Sequence, residues 1–133
     1  MTEHALIYDR DCGLCRTIVA AALALDRPRR LRPVAVQSSQ AARLLGGMTE
    51  EQRLDSVHIV HPDGHASSAG AALAELATLL PGFAAVGRGL RARPALSERA
   101  YRLVAGHRDV IGGLIPAAVK AAATRRIDAR ALD

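Results

Sequence analysis

The stretch Tyr8-Asp9-Arg10-Asp11-Cys12-Gly13-Leu14-Cys15-Arg16 narrows the possible folds further than any other, because it joins a short apolar run (Ala5 to Ile7) to a helical one (Thr17 to Leu25). Both cysteines of the protein lie in it. A strand that ends at a polar turn and reopens as a helix puts Cys12 at a helix start, where unpaired N–H groups and the positive end of the helix dipole favour a thiolate over a thiol. The thiolate is the nucleophile, so a cysteine there has a lowered pKa and a raised reactive fraction. Cys15, one turn later, can close on it as a small reversible disulfide. The residues therefore point to a thiol–disulfide site, with Cys12 attacking and Cys15 resolving. Arg10 and Arg16 would stabilise the thiolate and Asp9 and Asp11 oppose it, while Asp9 is placed to cap the turn. Gly13 and Leu14 fill the space between the sulfurs and would face a bound partner.

The rest of the chain supplies a scaffold. Its 133 residues, half of them apolar, are enough for one packed domain. With only Tyr8, Tyr101 and Phe83 as aromatics, the core must be aliphatic. The formal charge of +5 comes almost wholly from Arg, with Lys120 the single lysine. It reads as a solvated surface, since no basic cluster is interleaved with the aromatics that single-stranded nucleic acid would stack on. No apolar run reaches the roughly 18 residues of a membrane span. Met1-Thr2-Glu3-His4 lacks the basic region of a secretory signal. A cytoplasmic protein with chemical rather than structural cysteines is expected.

Periodicity predicts a strand over Ala5 to Tyr8, a helix from Gly13 to Asp26 stopped at Arg27-Pro28, and a strand over Leu31 to Val36, with Pro33 tolerable near its start or on an edge. A Ser-capped helix to Leu45 follows, then a turn of helix opened by the capping box Thr49 to Gln52. Ser56 to His61 alternates as a third strand, Pro62-Asp63-Gly64 turns the chain, and His65 to Ser68 returns antiparallel. Gly70 to Leu80 is helical, as are Phe83 to Leu90, Ser97 to Gly106 from a Ser cap with Tyr101 and Val104 inward, and Ala117 to Arg126. This order suits an α/β fold with a four-stranded mixed sheet, helices on both faces, and a right-handed first crossover.

The Asp9-x-x-Cys12-x-x-Cys15 pattern, directly after a strand ending in Tyr8, resembles the DCC family of thiol–disulfide oxidoreductases, named for that Asp-Cys-Cys signature. Matching stretches continue through Asp26-Arg27, Gln37-Ser38, Asp55-Ser56-Val57-His58 with Pro62-Asp63-Gly64, Ser68 to Ala72, and Tyr101-Arg102 with Arg108. They cover about Ala5 to Gly112. The resemblance implies a thioredoxin-like domain, core about 5–82, with a C-terminal helical extension over about 83–133. It also implies a role for Asp9 as acid/base near the buried sulfur. One departure stands out. Thioredoxins place a cis-proline before the third strand, whereas Arg53-Leu54-Asp55-Ser56-Val57 has none, and a cis bond without proline costs about 2.5–4 kcal/mol.

Other motifs carry less. One Cys-x-x-Cys supplies two of the four ligands of structural zinc. His58 and His61, three apart on a strand, point to opposite faces, and His4, His65 and His107 are scattered, so no metal and no cofactor are expected. Gly87-Arg88-Gly89 is too short for a dinucleotide fingerprint and reads as a loop. Tyr101 reads as packing, with Arg102 and Arg108 on the wet side of its helix. Two functions remain: an oxidoreductase acting on protein or small-molecule thiols and disulfides, and a non-catalytic thioredoxin-like protein-binding module.

Overall fold

The computed structural model describes residues 3–131. Strands β1 (His4–Tyr8), β2 (Leu31–Ala35), β3 (His58–Val60) and β4 (Ala66–Ser68) form one sheet in the order β2-β1-β3-β4. β1 is parallel to β2 and antiparallel to β3, which in turn pairs antiparallel with β4. Helices α1 (Gly13–Leu25), α2 (Ser39–Leu44), α3 (Glu50–Asp55) and α4 (Ala69–Leu79) are interleaved with the strands. Helices α5 (Ala84–Ala92), α6 (Pro94–Gly106), α7 (Arg108–Leu114) and α8 (Ala117–Ala131) follow. This is the four-stranded mixed sheet of a thioredoxin-like α/β fold, with an additional C-terminal helical segment. Among the described residues, no helix is long and apolar enough to cross a membrane.

Successive side chains of a strand point to opposite faces, and β1 uses both. Leu6 and Tyr8 pack with Val19, Ala22 and Leu23 of α1, Ala72 and Leu76 of α4, and Ile127 of α8. Ala5 and Ile7 pack on the other side with Val34, Val60, Ala41 and Leu45. Cover on both faces explains why β3 does not alternate: His58, Ile59 and Val60 are all buried. β3 is also shorter than the expected Ser56 to His61. Pro33 pairs with Leu6 from β2, an edge strand where a missing N–H costs no ladder bond.

The helix ends obey their local chemistry. Ser38 and Thr49 cap α2 and α3, the latter through a complete capping box with Gln52. Three sequence expectations give way. α6 begins at Pro94, in the first-turn position that suits proline, and Ser97 is buried inside the helix with its hydroxyl donating to the carbonyls of Leu90 and Arg93. Gly87-Arg88-Gly89 is helical rather than a loop. A Cβ on Gly87 would come within 2.9 Å of the Thr78 backbone, so the glycine serves close contact between α4 and α5. Val104, expected inward, is half exposed.

The C-terminal segment is tied into the core. Asp26, fully buried after α1, accepts from the backbone N–H groups of Arg30 and Leu31 and from Arg130 Nη1 at 3.0 Å. Arg130 also donates to the carbonyls of Leu23 and Leu31. α8 is thereby fastened across the end of α1 and the start of β2.

Candidate active site at the start of the first helix

The loop between β1 and α1 is shaped by one carboxylate and one amide. Asp9 Oδ1 accepts the Asp11 N–H at 2.9 Å and Gln37 Nε2 at 2.7 Å. Gln37 Oε1 accepts the Arg10 N–H at 3.1 Å, and its amide also reaches Asp11 Oδ2 at 3.4 Å. Gln37 follows β2, so the parallel pairing of β1 with β2 sets it beside the loop. The Cys12 N–H then closes the turn onto the Asp9 carbonyl at 3.2 Å.

Cys12 is thereby the N-cap of α1, in extended conformation, and its Sγ accepts the Cys15 N–H at 3.2 Å. A sulfur stands where serine or aspartate oxygen usually caps a helix. An anion there meets both a hydrogen-bond donor and the helix dipole. Both cysteines are free thiols and partly exposed. The Cys15 thiol is pushed up to about 12, first by burial, then by its hydrogen bond to the Cys12 side chain and the charge there; Asp9 adds to the rise and Arg108 opposes it. Cys15 therefore holds its proton at neutral pH.

The remaining residues expected here fall into distinct places. Arg16 folds back so that Nη1 donates to the Arg10 carbonyl at 2.7 Å, stiffening the loop, while the Arg10 side chain is exposed. Gly13 lies under α8, where an added Cβ would meet Lys120 Cδ at 2.7 Å. Lys120 Nζ in turn donates to the Gly112 carbonyl at 3.2 Å. Leu14 and Cys15 border a cavity of about 310 Å³ whose apolar wall includes Leu6, Ile18, Val57 and Tyr101. Asp9 and Arg108 reach the same cavity and face each other at 3.8 Å.

Three contributors come from far along the chain. Tyr101 does face inward, and its hydroxyl accepts the Val57 N–H at 2.8 Å, at the end of the Arg53–Val57 stretch. Arg102 is on the wet side as expected, bound to Asp55 and Glu98. Arg108 is not: it turns to Asp9 and acts on Cys15. No local spacing marks Tyr101, Arg108 or Lys120 as neighbours of a loop some ninety residues earlier. Gln37 left a fainter signal, because a parallel crossover places the residue after β2 beside the end of β1.

Searches of the curated proteins and of the solved structures gave no match. The family model for DCC1-like thiol-disulfide oxidoreductases matches residues 6–114, a span that contains the Asp9 turn, both cysteines, Gln37, Tyr101 and Arg108. A match over most of the chain, with this dithiol inside it, makes the protein a member of the DCC1-like thiol-disulfide oxidoreductase family.

Proposed function

We propose that the protein exchanges thiols and disulfides through Cys12 and Cys15. The Cys12 thiolate attacks one sulfur of a substrate disulfide. A Cys12–substrate disulfide forms, the substrate S–S bond breaks, and one substrate sulfur leaves as thiolate. Cys15 then loses its proton and attacks Cys12 Sγ, releasing the second substrate thiolate and leaving a Cys12–Cys15 disulfide. The substrate gains two electrons and the protein loses two; a dithiol reductant restores the starting state. The exchange carries its electrons on sulfur and calls for no cofactor. Run in reverse, the same steps oxidise a dithiol.

The observation that carries this reading is the N-cap contact, Cys15 N–H to Cys12 Sγ at 3.2 Å, which puts a hydrogen-bond donor and the helix start at the sulfur read as the nucleophile, while burial first of all keeps the proton on Cys15. Asp9 lines the same cavity as Cys15, with Arg108 beside it, and in this reading accepts that proton during resolution. In this reading Arg10, Gly13 and Leu14 meet the partner, and Arg16 steadies the loop through its bond to the Arg10 carbonyl. The partner is a protein or small-molecule thiol or disulfide met in a reducing, cytoplasmic compartment.

The test is turnover of a disulfide-bonded protein in the presence of dithiothreitol. The wild-type chain should accelerate reduction, and Cys12→Ser should abolish the acceleration while keeping the fold, since serine is itself a good N-cap. A wild-type rate equal to dithiothreitol alone would instead leave a thioredoxin-like binding module with idle cysteines.

A further inference from the structure

At the end of the sheet away from the dithiol, the fold gathers side chains that are dispersed in the sequence. His4 opens β1 and His61 follows β3; the antiparallel register Ala5↔Val60 sets them side by side, with ring centroids 4.9 Å apart. Glu75 of α4 completes the group, its Oε1 lying 3.4 Å from His61 Nε2. One ligand atom from each of His4, His61 and Glu75 lies within 4.8 Å of the others. The cysteines sit beyond the opposite end of β1, about 13–17 Å away at roughly 3.3 Å per strand residue.

We propose that His4, His61 and Glu75 bind a divalent transition-metal ion of the zinc class. Two imidazoles and a carboxylate suit Zn2+ or Co2+ rather than Mg2+ or Ca2+, which prefer all-oxygen shells. At metal–ligand distances of about 2.0–2.2 Å, neighbouring ligands of a tetrahedral ion are about 3.4 Å apart. The His61–Glu75 separation already has that value, and it is longer than a good hydrogen bond of about 2.7–3.2 Å. His4 Nδ1 is buried with no hydrogen-bond partner, which leaves a ring nitrogen of this group unsatisfied by the protein. Glu75 is already oriented as a ligand. Its other oxygen accepts Arg91 Nη2 at 2.7 Å, which fixes the carboxylate as the outer partners of metal ligands do. The nearby guanidinium charge weakens the site without removing a ligand. His65, with its ring centroid 5.3 Å from that of His61, stands at the rim, and a water would complete the shell of a bound ion. An ion there joins β1, β3 and α4, so it stabilises the native state in proportion to its occupancy.

The test uses Co2+ alone on the full chain carrying Cys12→Ser and Cys15→Ser, so that thiols cannot bind it. One equivalent should give visible tetrahedral bands with no sulfur charge-transfer band, and Zn2+ should displace it and raise the melting temperature. His61→Ala and Glu75→Gln, each checked by circular dichroism, should weaken Co2+ binding by more than about tenfold. His4→Gln, at the sheet margin, provides an independent third variant with the same expected loss. The proposal is overturned if the thiol-free chain binds no Co2+ at micromolar concentrations, or if it binds equally well in all three variants. Either outcome leaves the disulfide chemistry untouched, because the assay contains no thiol.

Discussion

The backbone N–H of Cys15 donates to Cys12 Sγ at 3.2 Å, so the sulfur proposed to attack is also the atom that caps the first helix. The two thiols are held unequally: Cys15 is pushed up to about 12 by burial first and then by its Cys12 neighbour.

That inequality predicts selective alkylation. Between about pH 7 and 8, limiting iodoacetamide should label Cys12 and leave Cys15 protonated and unmodified, as read by peptide mass spectrometry. Cys12→Ala should make Cys15 easier to titrate, since the hydrogen bond and the charge at Cys12 both raise it. Preferential labelling of Cys15 in the wild-type chain would reverse the assigned roles.

Arg108 lowers the Cys15 pKa across the cavity, so Arg108→Gln should slow resolution more than attack. A change of one pKa unit alters the thiolate fraction about tenfold. A slowing of up to about that size is expected in the release of the second substrate thiol under single-turnover conditions. Release slowed no more than the Cys12 attack would remove Arg108 from the site.

The fastening of α8 predicts a large stability effect at a residue far from the chemistry. Asp26→Ala leaves the guanidinium of Arg130, itself only 14% exposed, beside two unpaired backbone N–H groups. Loss of one partner of a buried ion pair costs about 3–5 kcal/mol. Urea unfolding should register a loss of that order, whereas Arg102→Ala in the exposed pair with Asp55 should change stability by less than about 1 kcal/mol.

His58 predicts a pH dependence. Its Nε2 faces the Arg53 carbonyl at 2.9 Å, which can only accept, so Nε2 carries the proton and Nδ1 accepts the Ser68 hydroxyl at 2.6 Å. Burial lowers its pKa below the ordinary 6.5, against smaller opposing effects of the Arg53 carbonyl and Asp55. The unfolded chain therefore binds a proton at His58 before the folded one does. This contribution to stability is complete above about pH 6.5 and declines as the pH falls towards the folded-state value. Unfolding free energies from pH 8 to 5 should fall on acidification, and His58→Gln should flatten that slope.

The parts legible in the sequence were those fixed by neighbours in the chain. The Cys12 cap, the Thr49 capping box and Gly64 at a φ of 94° in the hairpin all depend on residues within four positions. The strand–helix–strand order was enough to place β2 beside β1. Ser97 misled because a serine before an apolar run has the signature of a cap, while its hydroxyl instead bonds back to a carbonyl four residues earlier and Pro94 marks the true start. Gly87 misled because glycine speaks for a loop unless a neighbouring helix needs the space. Arg108 on Asp9, Tyr101 on Val57 and Arg130 on Asp26 are contacts between distant segments, and helical periodicity does not encode which distant segment a face will meet.

Trapping the mixed disulfide decides whether Cys12 is the nucleophile and Cys15 the resolving thiol. Cys15→Ser, mixed with a disulfide substrate, should accumulate a stable mixed disulfide on Cys12, visible as one substrate-half adduct by intact mass and mapped to that residue by digestion; Cys12→Ser should accumulate none. An adduct on Cys15 in the Cys12→Ser chain, or no adduct in the Cys15→Ser chain, would show that the helix-capping sulfur is not the one that attacks.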